Sequence, residues 1–215
     1  AEIRAYLLEH PEVIMEAIQV LELRRKEAEA AAEAGLVASI AEELHDDGYS
    51  FVAGNPDGDV TVVEFTDYNC GYCKKAHADV KALIRMDPNV RLVIKEFPIL
   101  GPTSRTAAEA AMAAMRQSGG DAYLEFNDLL MNNRGALDEA TIYRLADRAG
   151  LDSGLLRSDA RDPKIAENLA RTYALAQKLR IEGTPTFVIG DQVVRGFVPL
   201  KDLQDAVAAQ RAGKG

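Results

Sequence analysis

Cysteine is scarce in this chain: two residues among 215, both inside one Cys-x-x-Cys at positions 70 and 73. A bridge between them closes too small a loop to staple a fold, which excludes a disulfide framework. Positive charge is in deficit as well. Lys and Arg number 25 against 34 Asp and Glu, a net charge of −9 that argues against a nucleic-acid partner. Long apolar runs are missing, none approaching the ~18 residues of a membrane span. There is no initial methionine and no signal-peptide pattern. The opening Ala1-Glu2-Ile3-Arg4 fits a trimmed or a processed form equally, so compartment cannot be read from this end.

What is present is an ordinary globular composition, 47 % apolar and 27 % charged. The length suits one sizeable core with an appendage, or two small domains. The organising stretch is 60–73. A β-branched and apolar run ends at Phe65, a polar turn follows, and Cys70-Gly71-Tyr72-Cys73 opens a helix with Ala76, Val80 and Ile84 along one face. Thiols in a first helical turn meet unpaired N–H groups and the positive end of the helix dipole, which stabilise a thiolate.

Residues 1–48 read as helix interrupted at Pro11 and Gly35. Ile3, Tyr6 and Leu7, then Ile14, Ala17, Ile18 and Leu21, line apolar faces ahead of an alanine-rich stem, with Leu36, Val37, Ile40 and Leu44 beyond it. Two readings stand: a helical hairpin folded onto the chain's own body, and a self-association element. Residues 49–53 and 60–65 read as strands of a hairpin joined by the turn 54–59. The helix after Cys70 and a strand at 90–97 complete a βαβ unit, normally with parallel strands. Residues 103–180 read as helical. The first helix stops at Ser118-Gly119-Gly120, a second carries Tyr123 and Phe126, a third ends near Gly150, and a last runs from Asp162-Pro163 towards Arg180 with its stop at Glu182-Gly183. A β-hairpin over 184–196, a helix from Pro199 through Val207 and a fraying tail close the chain.

A dithiol at this spacing forms and releases a disulfide through a mixed disulfide, with Cys70 as attacking or leaving group. A metal site on Cys70, Cys73 and His77 is the rival, but it lacks a fourth ligand, and cysteine arithmetic favours redox chemistry. Glu64 has two readings: a residue sharing a more exposed strand face with Val62 and Thr66, and a proton acceptor beneath the dithiol. Lys95 either pairs with Glu64 across the sheet or is simply solvated. Pro185 marks an edge or a cis turn, and a cis bond would turn the Thr184 backbone outward to pair with an extended substrate. Tyr72 tunes or covers the cysteines, and His77 reads as a surface helix residue.

The strand before Cys70-Gly-Tyr-Cys73, the helical block inserted into a βαβ unit, and Gly183-Thr-Pro-Thr-Phe187 ahead of a hairpin and helix together resemble the thioredoxin-fold DsbA family. The resemblance runs from about residue 50 to the C-terminus. Val63-Glu64-Phe65 looks like that family's buried-acid strand, and Thr184-Pro185 like its cis-proline loop. Residues 3–17 and the alanine-rich stem resemble ScsC, the suppressor-of-copper-sensitivity branch. The Gly-Tyr dipeptide and the threonine before the proline look like the isomerase DsbC. The resemblance implies an α/β thioredoxin fold with an inserted helical domain, about 103–162 within a catalytic domain at 49–215, and an N-terminal helical oligomerisation segment at 1–48 that forms a homotrimer. It implies a bacterial periplasmic thiol–disulfide oxidoreductase, mainly an isomerase or reductase, without cofactor or metal. Cys70, Cys73 and Glu64 would be catalytic, and Thr184, Pro185 and Tyr72 would hold substrate. Its partners would be proteins with disulfides or thiols and a membrane thiol reductase, with a link to copper stress. A monomeric DsbA-like oxidase and a copper-binding chaperone using Cys70 and Cys73 are the alternatives.

Overall fold

The computed structural model describes residues 2–118 and 120–213; Gly119 of the expected helix stop, and the tail residues Lys214 and Gly215, lie outside the described residues. Val60–Thr66, rich in β-branched residues, forms β2, the strand around which the sheet is built. β3 (Val90–Glu96) lies parallel beside it, with Glu64 opposite Ile94 and Phe65 opposite Lys95. On the other side runs β4 (Thr186–Ile189), antiparallel, followed by β5 (Gln192–Arg195) in a two-residue hairpin. β1 (Phe51–Gly54) closes the far edge, giving the order β1-β3-β2-β4-β5.

β1 therefore does not make the expected hairpin with β2. Its partner is β3, and the loop 55–59 crosses the start of that strand. The crossing is tight. A Cβ on Gly58 would stand 2.6 Å from the Asn89 carbonyl oxygen, and one on Gly54, at φ +71°, 2.6 Å from that of Val90. Turn chemistry reveals that the chain reverses but not which strand it reverses beside.

Helices cover both faces. α4 (Gly71–Met86), α5 (Pro102–Ser118), α6 (Gly120–Asn132), α7 (Glu139–Arg148), α8 (Ser153–Asp159) and α10 (Leu200–Gly213) pack over Val62, Leu92 and Ile94. α8 is a helix the sequence pattern did not reveal, capped by the Asp152 carboxylate. On the opposite face, Val63, Phe65 and Val93 meet Leu175 and Leu179 at the end of α9 (Pro163–Lys178), together with Val37, Ile40 and Leu44. β2 is thus buried on both sides, so the more exposed face expected for Val62, Glu64 and Thr66 does not exist.

The N-terminal helices behave differently. α1 (Glu2–Glu9) buries no residue. α2 (Glu12–Ser39) runs unbroken through Gly35, and the break falls at Ile40, before α3 (Ala41–His45). A helical glycine costs about 1 kcal/mol against alanine, which alanine-rich neighbours offset. The 28 residues of α2 reach about 42 Å at the α-helical rise. Its one buried residue is Val37, so residues 2–28 are not a hairpin folded onto the body. Ile3, Leu8, Met15, Leu21 and Leu23 instead stay 58–78 % exposed. Among the described residues no helix is long and apolar enough to cross a membrane.

Candidate active site

β2 ends at Thr66, and the chain turns through Asp67 and Asn69 into α4, with Cys70 as the N-cap. The Cys70 N–H donates to the Asp67 carbonyl at 3.0 Å. Cys70 Sγ in turn accepts from the Cys73 N–H at 3.4 Å, a sulfur in the role an Asp or Ser oxygen usually fills. The same sulfur lies 3.1 Å from the Thr184 carbonyl oxygen, to which a thiol can donate and a thiolate cannot. Other groups favour the thiolate. The Cys73 thiol foremost, then the Thr184 hydroxyl and the N–H groups of Cys73 and Tyr72, outweigh burial and bring Cys70 down to about 5. Cys73 moves the other way, raised by its bond to Cys70, by burial and by the charge of Glu64. Both are free thiols.

The Thr184–Pro185 bond is cis, and the Pro185 carbonyl accepts the Gly196 N–H at 2.9 Å, which ties this loop to the end of β5. Tyr72 is 65 % exposed and so is no packed cover for the thiols.

Glu64 is buried in the middle of β2. Burial pushes its carboxyl up to about 7, and the Thr66 hydroxyl offsets this only in part. With Thr66 it lines a cavity of about 280 Å³ between α4 and α6, walled by Val80, Ile84 and Met131. Lys81 and Leu124, both exposed, stand at its rim, so the cavity opens to solvent.

Lys95 does not meet Glu64. Its register partner is Phe65, so its side chain takes the opposite face of the sheet. There it forms a buried ion pair with Asp47 and donates to the Glu43 carbonyl at 2.9 Å. Ordinary solvation fails too, because the Lys95 side chain is 0 % exposed. His77 is likewise not a surface residue. Its side chain is 13 % exposed and Nε2 lies 2.9 Å from Asp128 Oδ1. Burial lowers its pKa while Asp128 opposes that. Among the described residues no group of three His, Cys, Asp or Glu is placed to hold a metal ion.

Two acids absent from the sequence-based set organise the site. The buried Asp67 carboxylate accepts the N–H groups of Asn69 and Ile99 at 2.8 Å and of Leu100 at 3.0 Å. It thereby pins the turn before Cys70 to the loop after β3. Glu96 shares the sheet face of Glu64 and accepts from the hydroxyls of Tyr68 at 2.7 Å and Tyr123 at 3.0 Å. Burial pushes it up to about 8. Asp67 carried a signal, an Asx turn ahead of a helix. Glu96 carried none, because Tyr123 comes from α6.

Residues 61–208 match the family described as DSBA-like thioredoxin domain, and residues 1–28 match the copper resistance protein ScsC N-terminal domain. A thioredoxin-like oxidoreductase from Silicibacter pomeroyi DSS-3 is 48 % identical with a TM-score of 0.76, covering 81 % of this chain and 98 % of that one. The catalytic domain of Proteus mirabilis ScsC is 30 % identical with a TM-score of 0.76, covering 83 % and 98 %. A curated relative, Na(+)/H(+) antiporter NhaA 1 of Salinispora arenicola, is 34 % identical over 75 % of this chain, but the match covers only 25 % of that protein's length. The family match takes in β2, the dithiol, the helical block and the cis-proline loop together. The chain belongs to the DsbA-like thioredoxin-domain family of thiol–disulfide oxidoreductases, in the branch that carries a ScsC N-terminal domain.

Proposed function

We propose that this protein is a disulfide isomerase or reductase of the bacterial periplasm, working on misfolded or oxidised proteins as a homo-oligomer, most simply a trimer. The observation that carries the chemistry is Cys70 at the N-cap of α4, brought down to about 5 and set against the Thr184 loop. At neutral pH Cys70 is a thiolate. It attacks one sulfur of a client disulfide, the client S–S bond breaks, and the other client sulfur leaves as a thiolate. Cys73 then loses its proton to the Glu64 carboxylate and attacks Cys70 Sγ, which releases the second client sulfur and leaves an enzyme disulfide. In isomerisation a different client thiolate instead attacks the client sulfur held by Cys70; the mixed disulfide breaks, the client keeps a new disulfide, and Cys70 leaves as the thiolate. A membrane thiol reductase would return the oxidised enzyme to the dithiol. Thr184 and Pro185 hold the client chain by strand addition, since the Thr184 N–H has no hydrogen-bond partner among the described residues. Tyr72, next to Cys73 in the chain, offers an exposed ring to the client.

What favours isomerase over oxidase is the bare apolar surface of α1 and α2. Copies that bury it against one another hold several dithiols close to one client, which raises their effective concentration. A monomeric oxidase is favoured by one observation: a thiolate stabilised as Cys70 is makes the reduced form stable and the disulfide a stronger oxidant. Light scattering with a scrambled-ribonuclease assay separates the two readings. The shortened chain should lack residues 1–28 only, because Val37, Ile40 and Leu44 are core. The intact chain should be oligomeric and reactivate ribonuclease, and the shortened one should be monomeric and merely oxidise thiols. Equal mass and equal activities would favour the oxidase.

A further inference from the structure

α9 was expected to stop at Glu182-Gly183, but it ends at Lys178 and reverses through Arg180, at φ 52° the one non-glycine residue with positive φ among the described residues. The Ile181 N–H returns to the Ala176 carbonyl at 2.8 Å, and the Arg180 N–H to that of Gln177 at 3.1 Å. Arg180 thus fills the post-helix position where glycine is the unstrained choice, at a cost on the order of 1 kcal/mol. Its exposed guanidinium makes no hydrogen bond or ion pair with any described residue.

Arg180 lines a groove of about 430 Å³ with Glu182, Thr184, Thr186 and Arg195. At the wall of the groove, the Thr184 carbonyl lies 3.1 Å from the Cys70 sulfur. Arg195, at the end of β5, bonds the Leu179 carbonyl at 3.1 Å and the carboxylate of Glu33, from the stem helix α2, at 2.7 Å. One guanidinium therefore already seats a carboxylate of the protein's own, and the other has none. Glu182 is the one acid lining the groove.

We propose that Arg180, assisted by Arg195, forms a carboxylate-binding subsite for the client chain, so that clients with Asp or Glu near the reacting cysteine are preferred. This rests on Thr184 and Pro185 holding the client. A guanidinium fork suits a carboxylate better than an ammonium does. Glu33 competes for the Arg195 end of the same groove.

The test uses disulfide-linked peptides that differ only in Glu, Gln or Lys near the cysteine, reacted with the full chain at low and high salt. For exposed ion pairs of this kind, the Glu peptide should exceed the Lys peptide about fivefold in kcat/KM, chiefly through KM, and high salt should erase the difference. Arg180→Gly should bring the ratio towards one while raising the melting temperature, because glycine relieves the left-handed backbone; failed folding therefore cannot mimic the result. Glu33→Gln should widen the ratio. Equal rates for all three peptides in the unaltered protein would overturn the subsite and leave the thiol chemistry standing. A Glu preference that survives in Arg180→Gly would overturn it as well. If none of the peptides reacts, the reading of Thr184–Pro185 fails together with the subsite.

Discussion

The two faces of β2 and β3 bury charge in opposite ways. On one, Lys95 meets Asp47 in an ion pair, and the Asp47 carboxylate also takes the N–H groups of Tyr49 at 2.9 Å and Ser50 at 2.8 Å. On the other, Glu64 and Glu96 share a face with no cationic partner among the described residues, and burial pushes them to about 7 and about 8. A buried ion pair keeps its charges fixed and anchors what it joins, here the segment after α3 to the sheet. A buried acid without a counter-ion keeps a proton that it can exchange near neutral pH. The first face is built to stay put and the second to titrate. Strand parity decides which face each side chain takes, and the segment after α3 supplies a counter-ion on one face only.

Breaking the paired face should have the largest effect on stability. Lys95→Met leaves Asp47 buried and unpaired and should cost about 3–5 kcal/mol in a denaturant titration. Adding Asp47→Asn, which keeps an acceptor for Tyr49 and Ser50, should recover most of that loss. A loss under about 1 kcal/mol for the single change would show that the pair is not an anchor.

On the titrating face the large effect should be on rate. Glu64→Gln is expected to slow resolution of the mixed disulfide by about 10²-fold, followed by stopped-flow release of a client thiol. It should also raise rather than lower stability at neutral pH, because it removes a carboxyl that burial keeps from ionising. Unaltered release would remove Glu64 from the proton path.

Smaller effects should appear with pH. Glu64 and Glu96 hold protons more tightly folded than unfolded, so each lowers stability as pH rises from 4.5, through about 7 and about 8 respectively. Glu96→Gln should flatten the upper part of this decline in denaturation midpoints collected across pH. A curve parallel to that of the unaltered protein would mean Glu96 is not titrating there. Cys70 has the opposite sign. Its depressed pKa stabilises the reduced form above the unfolded thiol value of 9.0, and that contribution is lost as pH falls through about 5. Thiolate absorbance of the reduced protein should drop over the same range, and an unchanged signal down to lower pH would contradict the cap geometry.

Much of the site was legible because its signals are local. The cysteine spacing, the helix opening after Cys70 and the turn at 54–59 each depend on residues a few positions apart. The same locality explains the errors. Gly35 looked like a breaker because its propensity is poor, yet its neighbours carry the helix through it. Arg180 gave no stop signal, since a left-handed arginine is imposed by the Schellman-type bonds of Ile181 and not by its own preference. Lys95 looked available to Glu64 because both lie on adjacent strands, and one position of register sent it to the other face.

The sequence by itself determined that a dithiol caps a helix next to a strand carrying an acid, because capping, periodicity and turn formation are short-range effects. Only the tertiary structure decided that β3 separates β1 from β2, that Glu64 has no counter-ion among the described residues while Lys95 does, that Glu96 takes the hydroxyls of Tyr68 and Tyr123, and that Arg180 lines the groove beside Thr184. Those outcomes depend on which layers cover each face of the sheet, and on contacts between residues tens of positions apart whose pairing no local pattern encodes.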